Sequence, residues 1–248
     1  MNQREIVKRP RKQYDALVIE QNNATGEVSY WQKGDHQSVA DRAGVSLAEY
    51  IHAIFGLLRQ AKARDVLMIG CGGGTLATML HRAGVAVTLD DIDPGSFAIA
   101  RRYFNLPDEI PRHVADGARY LRRTTARYDA IVLDAYSGST IPKHFLVAAF
   151  FKLAKSRMRT RNAIFAMNVL VANDDDLAPN RILSAMHESW RYARLLDAEG
   201  WDNRNAVAVA GAVAKLNRPK LLMRPTRGAA KIARGLAQFS FRRVRPVD

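Results

Sequence analysis

The feature that most constrains this chain is a glycine run, Gly70-Cys71-Gly72-Gly73-Gly74-Thr75, set between an apolar stretch, Val66–Ile69, and a helical pattern that starts at Thr75. Glycines at a strand-to-helix turn let backbone amides approach a ligand where a side chain would stand in the way; the other reading is a tight turn that needs positive φ. The same alternation repeats downstream. Apolar runs of strand length at Val85–Leu89, around Val114, at Ala130–Leu133 and at Ala163–Met167 are followed by helical patterns from Pro94, near Gly117–Arg123, from about His144 and from about Leu177. A parallel return needs a crossover, and crossovers are right-handed. The order therefore predicts a Rossmann-like α/β fold, a doubly wound, mostly parallel sheet covered on both faces. Two last β-prone runs, Tyr192–Leu196 and Ala206–Ala210, flank a turn with Gly200 and Asn203 and predict an antiparallel hairpin at the C-terminal edge.

Ahead of the glycine run, residues 14–31 place two β-prone stretches around the turn-rich Asn22-Asn23-Ala24-Thr25-Gly26, with a third strand expected near His36–Val39. Leu47, Tyr50, Ile51, Ile54, Phe55 and Leu58 then recur at helical spacing, with Ser46 as the expected N-cap. The expected organisation is a basic N-terminal extension over 1–13, a β-hairpin region over 14–45, an α/β catalytic domain over 46–213 and a basic C-terminal tail over 214–248. The formal charge of +14 belongs to the ends: residues 1–13 carry a net +4 and 212–248 a net +9, so the body between is nearly neutral. A polyanion partner such as nucleic acid is expected at the termini, where Phe239 and Phe241 stand beside Arg242, Arg243 and Arg245. A solvated extension is the plainer reading. The single cysteine, Cys71, excludes an internal disulfide framework, and no Cys/His cluster has zinc-site spacing. No apolar run approaches the ~20 residues of a membrane span, so the expectation is a soluble, cytoplasmic protein without metal.

Three elements point to a nucleoside cofactor. The first is the glycine loop itself. The second is Asp90-Asp91 at the end of the next strand, where an acid can accept both hydroxyls of a ribose; Asp91 is the expected ligand and Asp90 the fallback. Asp93, before Pro94, reads as a helix N-cap. The third is Asp116-Gly117 after the third strand, where a carboxylate can accept from an exocyclic adenine amine or cap the following helix. Thr75 replaces the last glycine of the dinucleotide fingerprint, so the set favours an S-adenosyl ligand.

Tyr128-Asp129-Ala130-Ile131-Val132-Leu133-Asp134 reads as a buried strand ending in a carboxylate, followed by the small-residue loop Ala135-Tyr136-Ser137-Gly138-Ser139-Thr140-Ile141-Pro142. Ligands of open α/β sheets sit at the carboxyl ends of the strands, so Asp134 is expected to face the glycine loop's crevice. There it can hold a cationic amine and take its proton, the step an amine needs before attacking a sulfonium; a loop cap is the alternative.

From about Tyr14 to Gly211 the chain resembles the spermidine synthase family of polyamine aminopropyltransferases. The resemblance rests on the N-terminal hairpin region, the glycine loop, V-T-L-x-x-I-D-P at Val87–Pro94, Asp116-Gly117, and Y-D-x-I-x-x-D ending at Asp134. It implies an aminopropyl transfer from decarboxylated S-adenosylmethionine to an amine, in a homodimer. It also implies cofactor contacts from Gly70, Gly72, Gly73, Gly74, Asp91, Asp116 and Gly117, with Asp134 as the amine-binding, proton-accepting acid. Gln37, in Gly34-Asp35-His36-Gln37-Ser38, resembles the family's D-G-x-x-Q segment and Tyr50 its substrate-lining tyrosine; Tyr136 and Ser137 of the loop after Asp134 complete the expected substrate-binding set.

Two departures matter. The family's loop carries an acid for the cofactor amine and this one carries none, which also removes repulsion against an intact methionine carboxylate. Ser137 stands where the family has a second amine-binding acid. Both features resemble the divergent spermidine-synthase-like branch, in which some members are methyltransferases, so methyl transfer from S-adenosylmethionine is the alternative. A non-catalytic adenosyl-binding protein with a nucleic-acid-binding tail is the third reading. Asp174–Asp176 reads as a solvated helix start rather than a metal site, and His36 and His52 receive no role. Trp31, Tyr136 and Trp201 could wall the pocket or simply pack, and Cys71 fills space in its loop.

Overall fold

The computed structural model describes residues 17–32 and 34–242, with the backbone alone of 2–8. Four strands, β1 (Asn2–Lys8), β2 (Leu17–Asn22), β3 (Val28–Gln32) and β4 (Asp35–Ala40), form an antiparallel meander. The turn between β2 and β3 is built as its composition predicts: Asn22 Oδ1 accepts the Ala24 and Thr25 amides at 3.0 and 3.1 Å. Helix α1 (Glu49–Gln60) starts later than expected. Ser46 is not its cap: it bridges Ala40 as an extra β-pair, and its hydroxyl accepts the Ala48 amide at 3.1 Å. Of the basic extension expected over 1–13, Asn2–Lys8 is strand β1; the remainder, together with 243–248, lies outside the described residues.

The rest is strand and helix in alternation: β5 (Asp65–Ile69), α2 (Thr75–Arg82), β6 (Ala86–Asp91), α3 (Pro94–Tyr103), β7 (Arg112–Val114), α4 (Gly117–Arg123) and β8 (Ala130–Leu133). After a short 3-10 turn (Lys143–Phe145) come α5 (Ala148–Ser156), β9 (Ile164–Val171), α6 (Ala178–His187), β10 (Ala193–Asp197), β11 (Arg204–Gly211), α7 (Ala229–Gln238) and β12 (Ser240–Arg242). The sheet order is β12-β10-β11-β9-β8-β5-β6-β7, parallel from β9 to β7. The C-terminal hairpin is present, with β11 inserted beside β9 and β10 outside it. Chain order reverses between β5 and β8, which puts the crevice of a doubly wound sheet at the tips of those two strands.

One face of the sheet packs under α1, α2, α3 and α7 through residues such as Leu57, Leu76, Val87 and Leu236. The other packs under α4, α5 and α6, where Phe150, Phe151, Phe165 and Trp190 form an aromatic cluster with centroids 5.5–6.3 Å apart. The antiparallel meander closes its own small core on Ile99 and Phe104, beside the glycine loop.

Two stretches differ from the sequence reading. Strand β9 continues four residues past Met167 because β11 pairs with it from Ile164 to Val171, although β8 pairs only as far as Met167. The stretch from 214 on, read as a basic tail with a weak helical stretch over Ala229–Phe239, carries that helix as α7, which is not solvated but buries Ile232 and Leu236 against α1, and adds β12, which takes the sheet edge. Phe239 is buried and Phe241 lies 3.6 Å below the Arg194 guanidinium. Neither ring is therefore free to stack on a nucleic-acid base. Among the described residues no helix is long and apolar enough to cross a membrane.

Candidate active site

A cavity of about 1110 Å³ opens at the carboxyl ends of β5, β6 and β8, roofed by β3, β4 and the start of α1. Its lining includes Asp35, Glu49, Asp90, Asp91, Asp93, Asp116 and Asp134, against a single lysine, Lys143, among the described residues. A cavity so acidic inside a chain of net charge +14 favours a cationic occupant.

At one end the glycine loop and the tip of β6 are tied together. Gly70 has φ +96°, and a Cβ there would lie 2.1 Å from the Asp134 carbonyl oxygen, so only glycine lets the β5 and β8 tips approach this closely. Asp91 Oδ2 accepts the Cys71 amide at 2.7 Å and its Oδ1 accepts the Asp93 amide at 2.8 Å. Burial pushes the Asp91 carboxyl above the usual range, partly opposed by these backbone bonds. The loop thus commits amides to the protein itself: the Gly73 amide donates to Ser38 Oγ at 2.8 Å. Gly70 and Gly72 line the cavity, whereas Gly73 packs on Phe104 and Ser38 and Gly74 against Leu106 and Ala100. Cys71 is buried and its thiol pKa is raised, first by burial.

Asp93 caps α3 as its position before Pro94 predicts, accepting the Gly95 amide at 2.8 Å. Asp116 both caps and lines: Oδ1 accepts the Arg119 amide at 3.0 Å while the carboxylate borders the cavity. Gly117 is required by packing, because a Cβ would meet Ile69 Cγ2 at 2.3 Å. Asp90 is fully buried with neither carboxylate oxygen hydrogen-bonded, and its pKa is pushed up to about 7 by burial, then by Asp91 and Asp116.

At the other end stands Asp134, at the tip of β8. It is not a loop cap: Oδ2 accepts from the Tyr50 hydroxyl at 3.2 Å, and Oδ1 accepts from Asn168 Nδ2 at 2.8 Å. Burial raises its pKa, and the two donors oppose the rise by favouring the charged form. Tyr50 is held neutral well above its ordinary range by burial and then by Asp134. Asn168 is the residue the sequence reading missed. It is 4% exposed on β9, and its Oδ1 has no partner, leaving an acceptor beside Asp134 in the cavity wall. A lone amide in the apolar run Ile164-Phe165-Ala166-Met167-Asn168-Val169-Leu170-Val171 was the available signal.

Gln37 and Ser137 also line the cavity, and Ser137 is exposed in a turn closed by its amide on the Thr140 carbonyl at 2.8 Å. Tyr136 lines it by its ring only, because its hydroxyl donates to the Asn168 carbonyl at 3.1 Å and accepts the Leu170 amide at 3.0 Å. Trp31 instead stacks on His36, and Trp201 is 68% exposed away from the cavity. His52 is buried, with Nε2 on the Ser46 carbonyl at 2.7 Å. In the acidic run, Asp174 pairs with Arg204 at 2.8 Å and Asp176 accepts the Ala178 amide at 2.8 Å; no cluster of potential metal ligands occurs among the described residues.

No family model matches the chain. It is 35% identical over 125 residues to a polyamine aminopropyltransferase of Vibrio vulnificus, an alignment covering 48% of this chain and 40% of that protein. It is 31% identical over 159 residues to an eEF1A lysine and N-terminal methyltransferase of Xenopus laevis, covering 58% and 22%. In three dimensions it superposes on a probable spermidine synthase from Corynebacterium glutamicum with a TM-score of 0.75 and 16% identity, covering 97% of this chain and 91% of that one. The chain has the fold shared by spermidine synthase and methyltransferase structures. The chain spans about two fifths or less of the length of the two curated relatives named.

Proposed function

We propose that the chain transfers an alkyl group from an S-adenosyl sulfonium to an amine, and that the group is the aminopropyl of decarboxylated S-adenosylmethionine. The observation that carries this reading is Asp134, a carboxylate held by Tyr50 and Asn168 at the tip of β8, beside the glycine loop, in a cavity whose described lining has seven acids and one lysine. Asp91 takes the ribose and Asp116 the adenine amine, with Gly70, Gly72 and Gly117 shaping the floor. Gln37, Tyr50 and Ser137 border the acceptor, and Tyr136 contributes a fixed wall.

In the reaction the amine lone pair attacks the carbon beside sulfur. A C–N bond forms, the C–S bond breaks, and its electron pair neutralises the sulfonium to a thioether. The proton lost from nitrogen passes to Asp134, whose burial raises its pKa and so favours taking up a proton. No group on the protein is alkylated, so positioning and charge are the chain's contributions.

Methyl transfer from intact S-adenosylmethionine is the second reading, favoured by a loop, Gly70–Gly74, that has no acid to pair with the amine of the decarboxylated cofactor. The deciding experiment supplies each cofactor form with a series of amines and identifies products by mass. Aminopropylated amine with the decarboxylated form supports the first reading; methylated product from the intact form alone replaces it with the second. A homodimer in the cytoplasm and polyanion contact through the basic ends belong to the same proposal.

A further inference from the structure

His144 lies in the 3-10 turn that ends the loop after Asp134, and its Nε2–H donates to Asp116 Oδ2 at 2.7 Å. It is 28 residues from its partner in sequence, and both residues line the cavity. The imidazole is held from behind, with its ring 4.0 Å from that of Phe145, which is buried against Phe150 at 4.8 Å. The loop between Asp134 and His144 is therefore tied at both ends, at Tyr136 by two bonds to the β9 backbone and at His144 by the bond to Asp116. Between these anchors Ser137, Ser139 and Thr140 are exposed.

We propose that His144 is a positioning residue that couples the two ends of the cavity, orienting Asp116 for the adenosyl ligand and pinning the loop that walls the acceptor side. The proposal rests on the S-adenosyl reading above. An ionised carboxylate offers about four acceptor positions. The bonds to Arg119 and His144 leave room for an adenine amine, and they fix the plane in which it is received. A ligand that gains from an oriented Asp116 stabilises the docked loop, and by reciprocity a docked loop raises the affinity for that ligand.

The test titrates S-adenosylhomocysteine into wild type, His144→Ala and His144→Gln by calorimetry and follows hydrogen exchange of residues 137–144 with and without ligand. Loss of a half-exposed charge-assisted bond should weaken binding roughly 2- to 5-fold in His144→Ala. Wild type should show ligand-induced protection of 137–144, and His144→Ala should lack it even at saturation. Glutamine retains an N–H donor and should restore both properties, which a purely structural role of the ring would not produce. In an Asp116→Ala background His144→Ala should add nothing further. Wild-type affinity and protection in His144→Ala overturn the coupling while leaving the S-adenosyl reading intact; a wild type that binds no adenosyl ligand overturns that reading, and the coupling falls with it.

Discussion

The two ends of the cavity are built in different ways. At the glycine-loop end, proposed above for the adenosyl ligand, each carboxylate takes an amide from nearby backbone: Asp91 takes the Asp93 amide two residues on, Asp93 the Gly95 amide, and Asp116 the Arg119 amide. At the acceptor end Asp134 is held by Tyr50 and Asn168, side chains 84 and 34 residues away. The local end is largely a product of turn and cap chemistry, with the Cys71 amide on Asp91 and His144 on Asp116 as its ties to distant parts of the chain. The acceptor end exists only when α1, β8 and β9 are assembled, so its charge balance responds to substitutions in all three.

The sharpest way to break this comparison is Asp134→Asn. Turnover is expected to fall by about a thousandfold, within the range for loss of a positioned acid-base group, while S-adenosylhomocysteine affinity stays within about threefold. An equal loss of affinity would mean that the two ends are not separable. The next effect is on stability. Asp90 in the folded protein keeps its proton up to about pH 7, whereas an unfolded aspartate releases it near 3.9, so folding takes up a proton between these values. Stability from this group is complete below pH 4 and is lost as pH rises through 7, about 2–3 kcal/mol between pH 5 and 8. Denaturant unfolding of Asp90→Asn across that range should show a flatter decline than wild type.

Asn168→Ala should lower kcat/KM about tenfold. It removes a donor to the charged form of Asp134, so the acid limb of the pH–rate profile should move to higher pH; movement to lower pH would contradict the assigned geometry. The smallest effect is expected for Asp91→Asn, where an amide oxygen can still accept one loop N–H. A severalfold rise in Kd for S-adenosylhomocysteine, with kcat for bound cofactor nearly unchanged, is the outcome that keeps the two ends distinct.

Legibility in the sequence follows the same division. The Asp93-Pro94 cap, the turn at Asn22–Gly26 and the helix starts at Thr75 and Gly117 were readable because a cap or turn needs only its own few residues. Strand β9 was read short because Asn168 interrupts its apolar run; the pairing with β11 that carries it on to Val171 comes from more than thirty residues downstream. Ser46 shows the converse. It has the right composition for an N-cap, and its β-bridge to Ala40 takes it out of the helix.

The stretch beyond 214 makes the point on a larger scale. Its ten bases over 212–248 and its prolines suggested a solvated tail with a weak helical stretch over 229–239; that helix, α7, is instead seated on α1 through Ile232 and Leu236, four residues apart. What the sequence by itself determined was the alternation of strand and helix, and with it the sheet, the crevice at the strand tips and the acids that border it. Periodicity, glycine and proline act within a few residues of themselves. What only the tertiary structure decided was which groups hold Asp134 and Asp116, because a hydrogen bond across the cavity depends on elements brought together by packing and leaves no local mark in the chain.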